Sequence, residues 1–224
     1  MARLARWDRD TADRVGRYVA ISHYVAGRIR RYYNREATVV YPPVNTDFFR
    51  PDGGAPERYA LVVSALVPYK RIDLAIEGCR RAGIPLKIVG DGPERLSLER
   101  LADGNAEFLG RRSDEDIRAL YRAAQMVLLP GEEDFGIVPL EAQACGRPVV
   151  ALGRGGALET VVPDQTGVLV SDPTPEAFAE AIARVVDLRF DSEVIRRHAE
   201  RFSRERFGNE IEQIVRQELE GPRA

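Results

Sequence analysis

The chain has 224 residues, of which 44% are hydrophobic and 30% are charged, and its formal net charge is −2. This composition is ordinary for a soluble globular protein with a sizeable core, and the near-neutral charge provides no general attraction for nucleic acid or for an anionic membrane. Two cysteines and two histidines, scattered along the chain, form neither a disulfide framework nor the ligand pattern of a zinc site.

Residues 1–41 predict short elements and no membrane segment. Their charged start lacks the apolar region of a secretory signal, and no apolar run in the chain reaches the roughly 18 residues of a membrane span, so we predict a cytoplasmic protein. Ser22 has the side chain and position of an N-cap before a helix, and residues 38–41 favour a short strand. Prolines and glycines then predict a linker or ordered loop over residues 42–58.

Short apolar runs alternate with helical patterns over residues 59–189. The predicted strands are 59–64, 86–90, 106–110, 126–130 and 148–152, and the predicted helices are 71–82, 93–103, 114–124, 139–145 and 157–161. Such alternation predicts βαβ units and an α/β fold, a Rossmann-like parallel sheet with helices on both faces. Residues 190–224 continue as terminal helices.

The loop GEEDFGIV, residues 131–138, is predicted to follow a strand at the edge of the sheet where ligands bind. Pro139 suits the first position of the next helix, whose free N–H groups would favour an anion or a hydroxyl. Two interpretations of Glu133 stay open: a residue at a reacting centre, or one more acid of a solvated loop. We interpret Glu132 and Asp134 as solvated.

Three more polar residues are predicted at the same edge of the sheet. Glu141 falls in the first turn of the predicted helix. A carboxylate there either interacts favourably with the helix dipole or accepts hydrogen bonds from paired hydroxyls such as those of a ribose. Lys70, with Arg71 beside it, precedes a helix after the first strand of the alternation. It is either solvated or meets phosphate oxygens as a point charge.

The loops after the next two strands contain a tight turn and a basic residue. The turn GDGP, which includes Gly90, lacks the further glycine of the dinucleotide fingerprint because Arg95 stands there, so an oxidoreductase is disfavoured. This turn either lines a ligand or only reverses the chain. Residues 109–111 either border a base or a phosphate or belong to the surface.

An ordered set of segments along the chain carries a resemblance to a known family. VVSALVPYKRIDLAIE, IVGDGP, FLGRRSDEDI, EEDFGIVPLEAQACGRPVVA, GGALETV and TGVLV together resemble the C-terminal domain of family-4 retaining glycosyltransferases. Glu133 and Glu141 match the family's Glu-x7-Glu signature with its embedded Phe-Gly, and SALVPYKR is most similar to a mannosyltransferase-like subgroup. The resemblance covers nearly all of residues 59–186. It implies one half of a GT-B fold and no obligatory metal or other cofactor.

The resemblance also implies roles for individual residues in binding a nucleotide diphosphate sugar. Lys70, assisted by Arg71, would bind the diphosphate, Glu133 would contact the donor sugar at the catalytic centre, and Glu141 would bind the ribose. The remaining donor-binding residues would be Phe135, Gly136, Ile137 and Val138 around the sugar and diphosphate, Gly90 in the neighbouring turn, and Leu109, Gly110 and Arg111 beside the base.

Two departures from the family pattern stand out. Many members have an Arg where this chain has Ala65, which removes one expected phosphate contact. Members are also much longer and begin with an acceptor-binding domain. Residues 1–41 resemble only the end of that domain, 42–58 the hinge, 59–189 the donor domain, and 190–224 the helices that pack back toward the first domain. We therefore expect a fragment that holds the donor half.

These implications predict the donor-binding half of a retaining glycosyltransferase. The enzyme would move a hexose, with mannose favoured, from a nucleotide diphosphate sugar to a glycan or lipid-linked acceptor bound by the N-terminal domain. No nucleic acid partner is expected, and peripheral association of the full-length enzyme with a membrane stays open. The alternatives are a nucleotide-sugar-binding or partner-binding remnant without catalytic activity, and a GT-B nucleotide-sugar epimerase, which the Phe-Gly signature fits less well.

Overall fold

The structure, a computed structural model, describes residues 2–220. Its strands are β1 (Tyr18–Ala20), β2 (Ala37–Val39), β3 (Ala60–Val63), β4 (Leu86–Val89), β5 (Ala106–Gly110), β6 (Met126–Leu129), β7 (Val149–Leu152) and β8 (Gly167–Val170). Its α-helices are α1 (Ala2–Asp10), α2 (His23–Tyr33), α3 (Ile72–Ala82), α4 (Arg95–Ala102), α5 (Asp114–Ala123), α6 (Ile137–Ala144), α7 (Ala157–Thr160), α8 (Pro175–Asp187), α9 (Ser192–Glu200) and α10 (Arg204–Glu220). Met1 and residues 221–224, which belong to the two predicted terminal segments, lie outside the described residues.

Strands β3 to β8 form one parallel sheet in the order β5-β4-β3-β6-β7-β8. The chain adds β4 and β5 on one side of β3 and then returns to add β6, β7 and β8 on the other side. The direction of strand addition therefore reverses between β3 and β6, and the loops that leave these two strands separate to open a crevice. The topology confirms the predicted Rossmann-like parallel sheet.

Hydrophobic layers cover both faces of this sheet. On one face, Ala60 and Val62 of β3 belong to a buried cluster with α3, α4 and α8. On the other face, Leu61 belongs to a cluster with α5, α6, α7 and α9, and with Val44 and Phe49. Because side chains alternate along a strand, one short apolar run serves both layers. Val44 and Phe49 make the predicted linker an ordered part of the core.

Helix α6 begins at Ile137, two residues before the predicted start at Pro139. Gly136 is its N-cap and has a φ of 91°, a left-handed conformation that glycine adopts without a steric penalty. Pro139 is therefore third in the helix, where its missing N–H breaks no bond because the first four N–H groups lack intrahelical partners. Glu141 consequently lies in the second turn. The prediction of a first-turn position was wrong, and the helix-dipole interpretation of Glu141 loses its basis.

The N-terminal and C-terminal segments contact each other. Strands β1 and β2 form a separate parallel pair on either side of α2 in the chain. Arg17 beside β1 forms an ion pair with Glu218 of α10 at 3.1 Å, and Arg206 of α10 donates to the carbonyl of Tyr41. None of the helices within residues 2–220 combines the length and hydropathy that a bilayer crossing requires. The assignment of residues 1–41 to an acceptor domain stays a prediction.

Candidate functional site

The crevice between β3 and β6 is a cleft of about 460 Å³. Its lining comes from the loops after β3 and β6, from the start of α6 and from the N-terminal segment: Ile21, Pro42, Val63, Ser64, Ala65, Tyr69, Lys70, Leu129, Glu133, Asp134, Phe135, Gly136, Ile137 and Val138. A larger cavity of about 790 Å³, whose lining includes Arg50, Arg147 and Arg196, lies at the amino ends of β6 and β7. Because ligands of open parallel sheets bind at the carboxyl ends, the smaller cleft is the candidate site.

Lys70 ends the turn that follows β3 and lines the cleft. Residues 68–70 form one turn of 3₁₀ helix, and Arg71 follows with a φ of 51° before α3 begins. Gly131 passes so close that a Cβ there would lie 2.7 Å from Lys70 Cα. The Lys70 ammonium group forms an ion pair with the Glu133 carboxylate, and the two side chains are only 17% and 20% exposed. The structure thus brings the two predicted catalytic residues into contact.

The backbone of the acid loop, which we define as residues 131–136, rests on the chain that follows β7. The N–H of Gly156 donates to the carbonyl of Glu133 at 2.8 Å. A Cβ at Gly156 would lie 2.2 Å from Phe135 Cα, so only glycine allows this approach. Phe135 is buried and stacks on Tyr41, with 5.5 Å between the ring centroids. These contacts hold the loop in place under the Glu133 side chain.

The other two acids of this loop bind helix α2. The Tyr24 hydroxyl donates to the Glu132 carboxylate, and Arg28 forms an ion pair with Asp134 at 2.7 Å. The Ser22 hydroxyl donates to the Asp134 carbonyl at 2.6 Å. Glu132 and Asp134 are both exposed, as predicted for solvated acids, but each also has a partner in a distant segment that the local pattern does not reveal. The N-terminal segment thereby supports the acid loop.

The start of α6 presents backbone donors to the cleft. Ile137 and Val138 line it, and no acceptor among residues 2–220 takes their N–H groups. The aligned peptide dipoles at a helix start favour negative charge, and the Lys70 ammonium group lies in the same cleft. The arrangement can therefore hold an anionic group between a lysine and two N–H donors.

Glu141 lies one helical turn beyond these donors and is half-buried. The hydroxyl of Tyr121, on α5, donates to Glu141 Oε2 at 3.1 Å. Burial raises the pKa of Glu141 from 4.5 to about 7, and the hydrogen bond from Tyr121 opposes this rise. The carboxyl group therefore changes its charge near neutral pH. A ligand that donates hydrogen bonds to it would favour the ionised form.

The other predicted donor-binding residues are not among those that line the cleft. Gly90 has a φ of 133°, and a Cβ there would lie 1.8 Å from the Ser64 carbonyl oxygen. Residues 109–111 lie at the end of β5, two strands from β3, which corresponds to about 10 Å at the usual strand spacing. Arg71 pairs with Asp73 at 2.9 Å and does not line the cleft. The roles assigned to these residues stay predictions.

Sequence reasoning missed Tyr121 and the contacts of α2. Tyr121 lies 20 positions from Glu141, and nothing in the local pattern of α5 marks its hydroxyl as a partner for that carboxylate. Ser22 was predicted as an N-cap, which its acceptance of a hydrogen bond from Val25 N at 3.0 Å confirms. Its second bond, to the acid loop, carries no signal in the sequence. Within residues 2–220, no three His, Cys, Asp or Glu side chains cluster closely enough to hold a metal ion.

The sequence matches known glycosyltransferases. The sequence model of the family described as "Glycosyl transferases group 1" matches residues 45–205, more than half of the chain. A D-inositol 3-phosphate glycosyltransferase of Mycobacterium bovis is 34% identical over 193 residues, which cover 74% of this chain and 40% of that protein. An uncharacterized glycosyltransferase of Methanocaldococcus jannaschii is 28% identical over 174 residues, covering 75% of this chain and 49% of the other. The chain thus spans about half or less of the length of these curated relatives.

Solved structures share the fold at low sequence identity. A sucrose-phosphate synthase from Thermosynechococcus elongatus superposes with a TM-score of 0.85 at 23% identity, covering 97% of this chain and 62% of that one. The Anabaena protein Alr3699/HepE, solved in complex with UDP, has a TM-score of 0.85 at 21% identity, covering 95% of this chain and 67% of that one. At this identity the likeness establishes the fold.

Proposed function

Since the chain belongs to the glycosyl transferases group 1 family, we propose that it is the donor-binding half of a retaining hexosyltransferase. The full-length enzyme would transfer a hexose from a nucleotide diphosphate sugar to a glycan or lipid-linked acceptor. The acceptor would be held by a further domain. The C1–O bond to the diphosphate would break, the acceptor hydroxyl oxygen would form the new bond at C1 with net retention, and the hydroxyl proton would pass to the departing diphosphate.

The observation that carries this proposal is the convergence of Lys70, Glu133 and the start of α6 in one cleft. The diphosphate of the donor gains negative charge as the sugar leaves. Lys70 and the N–H groups of Ile137 and Val138 would stabilise that charge, because preorganised donors need no rearrangement when the charge develops. Glu133 would exchange its bond to Lys70 for one to a hydroxyl of the donor sugar.

The rest of the donor would extend along the carboxyl edge of the sheet. Glu141 would accept hydrogen bonds from the ribose hydroxyls, and residues 109–111 at the end of β5 would border the base. Ala65 lines the cleft, at the position where the family resemblance led us to expect an Arg. The proposed phosphate contacts therefore rest on Lys70 and on backbone N–H groups.

We propose GDP-mannose or a related nucleotide sugar as the donor, because residues 64–71 resemble a mannosyltransferase-like subgroup. The main alternative is a UDP-sugar donor, because the Anabaena neighbour has UDP bound. The absence of an obligatory metal requirement is proposed from the same resemblance.

Calorimetric titration of the purified chain with GDP, UDP and ADP tests the proposal. We expect saturable binding, tightest for GDP, and its loss in Lys70→Met. Lys87→Met is the matched control, because Lys87 lies on β4 with its ammonium group over the Tyr59 ring, outside the cleft. The absence of saturable binding to all three nucleotides would contradict donor recognition. Unchanged turnover of Glu133→Gln in a full-length enzyme would exclude the catalytic role of Glu133.

A second candidate, a partner-binding chain without catalytic activity, is favoured by exposed apolar side chains. Val19 in β1, Ile21 just after it and Ile137 at the start of α6 are 43%, 42% and 44% exposed, and Ile21 and Ile137 line the same cleft. Apolar groups that lie together at a surface commonly mark a protein contact. Mass measurement by light scattering after size exclusion separates the candidates: a stable oligomer that fails to bind nucleotide would favour the partner-binding chain.

A further inference from the structure

A buried hydroxyl group outside the cleft contacts the carboxylate that we assign to the ribose. Tyr121 is fully buried, and its ring packs edge-on against Phe49 with 5.8 Å between centroids. The ring belongs to the core cluster on the α5–α6 face of the sheet, which fixes its orientation. Its hydroxyl donates to Glu141 Oε2 at 3.1 Å. A buried hydroxyl without a partner is costly, so Tyr121 requires this acceptor.

The bond from Tyr121 leaves one side of Glu141 free. Among the described residues, Glu141 Oε1 accepts no hydrogen bond, whereas Oε2 accepts the one from Tyr121. A carboxylate has about four lone-pair positions, so one bond still leaves room for two hydroxyl donors. The rigid tyrosine therefore turns a flexible side chain into an acceptor with a fixed direction.

We propose that Tyr121 is a positioning residue that holds the Glu141 carboxylate in the orientation and ionised form that read the two ribose hydroxyls of the donor. This inference rests on the proposed function. It adds a residue that touches neither sugar nor phosphate and acts only through Glu141. Its effect is therefore confined to ligands that have both ribose hydroxyls.

The charges around Glu141 give the proposal a pH signature. Tyr121 and Asp114 face it from α5, and Cys145 lies just after the last residue of α6. Burial raises the pKa of Glu141 to about 7, Asp114 raises it too, and the Tyr121 hydrogen bond lowers it. Since ribose hydroxyls donate to the ionised form, affinity for a ribonucleotide should rise with pH through about 7 and then level off. Without the Tyr121 hydroxyl, the midpoint should move to higher pH.

The test compares a ribonucleotide with its analogue that lacks both hydroxyls. GDP and 2′,3′-dideoxy-GDP, with the corresponding UDP pair in parallel, are titrated against wild-type chain and Tyr121→Phe between pH 5.5 and 8.5. We expect Tyr121→Phe to weaken ribonucleotide binding by about 5- to 20-fold at pH 7.5 and to leave the dideoxy analogue unchanged. The diphosphate titrates in both ligands, so the ratio of the two affinities isolates Glu141.

Tyr59→Phe is the matched control. Tyr59 is buried in the same core cluster, and its hydroxyl donates to the Leu120 carbonyl at 2.8 Å rather than to Glu141. Both variants lose one buried hydroxyl, but only Tyr121→Phe should change the affinity ratio and its pH midpoint.

The remaining outcomes overturn the proposal in distinguishable ways. Equal weakening of both ligands by Tyr121→Phe, or no change in either, would reduce Tyr121 to a core residue. A wild-type chain that binds GDP and its dideoxy analogue equally at all pH values would overturn the inference while leaving donor binding intact. If neither nucleotide pair binds, the proposed function fails, and this inference fails with it. Should Tyr121→Phe not fold, the wild-type ratio must still rise through about pH 7, and a flat ratio would refute the proposal.

Discussion

Replacing Glu133 by Gln should tighten the binding of a nucleoside diphosphate. The Glu133 carboxylate engages the Lys70 ammonium group, and both side chains are mostly buried. A diphosphate that binds Lys70 must therefore compete with a neighbouring carboxylate that also repels it. The amide of Gln keeps the shape of the side chain and removes the negative charge, so that Lys70 becomes available to the phosphate oxygens.

The size of the effect follows from the environment of the pair. Hydrogen bonds to charged groups contribute about 1.5–3 kcal/mol, and a surface ion pair contributes less than about 1 kcal/mol. The Lys70–Glu133 pair is 17% and 20% exposed and lies between these cases, because the cleft is open to water on one side. We expect a gain of about 1–2 kcal/mol in binding free energy, which corresponds to roughly 5- to 30-fold tighter binding.

Isothermal titration of GDP and UDP into wild type and Glu133→Gln measures this gain. Glu132→Gln is the matched control, since it removes the same charge from the adjacent position, where the carboxylate accepts from Tyr24 rather than from Lys70. A general charge effect would tighten both variants equally and would fall with added salt. If Glu133→Gln binds no tighter than Glu132→Gln, competition for Lys70 is refuted.

Three further predictions concern the glycine contact, the buried carboxyl group and the support of the acid loop. Gly131→Ala should abolish nucleotide binding in the titration, because its Cβ would lie 2.7 Å from Lys70 Cα and push the two loops apart. At pH 8, Glu141→Gln should exceed wild type in its free energy of unfolding by up to about 3 kcal/mol, measured by urea unfolding. At pH 5 it should show no such gain. The pKa of Glu141, raised to about 7 in the fold, favours the protonated form, so its contribution to stability is lost as pH rises through 7. Ser22→Ala should cost about 1–3 kcal/mol in the same assay, more than the exposed N-cap variant Ser113→Ala, because it removes a bond to the acid loop as well as a cap.

Each of these predictions has an outcome that contradicts it. Gly208→Ala, where a Cβ meets nothing within 4 Å, should bind nucleotide normally, and normal binding by Gly131→Ala would refute the steric argument. An equal stability difference between Glu141→Gln and wild type at pH 5 and pH 8 would show that burial does not shift this carboxyl group. Equal losses in Ser22→Ala and Ser113→Ala would show that the bond from Ser22 to the acid loop contributes nothing.

The sheet was predictable because its strands carry their signal locally. Four-residue apolar runs such as 126–129 are buried on both faces, and helices of amphipathic pattern separate them. The final strand β8, GVLV, was recognised only as part of a motif. A run of four apolar residues after a turn does not show which strand it will pair with. The early start of α6 was missed because Pro139 is typical of a first helical position. The N-cap is in fact Gly136, whose positive φ turns the chain into the helix.

The candidate site was predictable only in part. The sequence assigned Lys70 and Glu133 to one centre through a resemblance, and the reversal of strand order between β3 and β6 explains physically why they meet. The contacts of Ser22 and Arg28 with the acid loop, and of Tyr121 with Glu141, join segments whose separation in the chain hides them. Such side-chain pairs depend on how the elements pack, which no local pattern contains.

A crystal structure of the chain with a bound nucleoside diphosphate tests the central claim most directly. We predict a diphosphate within hydrogen-bonding distance of Lys70 and of the N–H groups of Ile137 and Val138, with both ribose hydroxyls on the Glu141 carboxylate. A nucleotide bound instead in the arginine-lined cavity at the amino ends of β6 and β7, with the β3–β6 cleft unoccupied, would contradict the account.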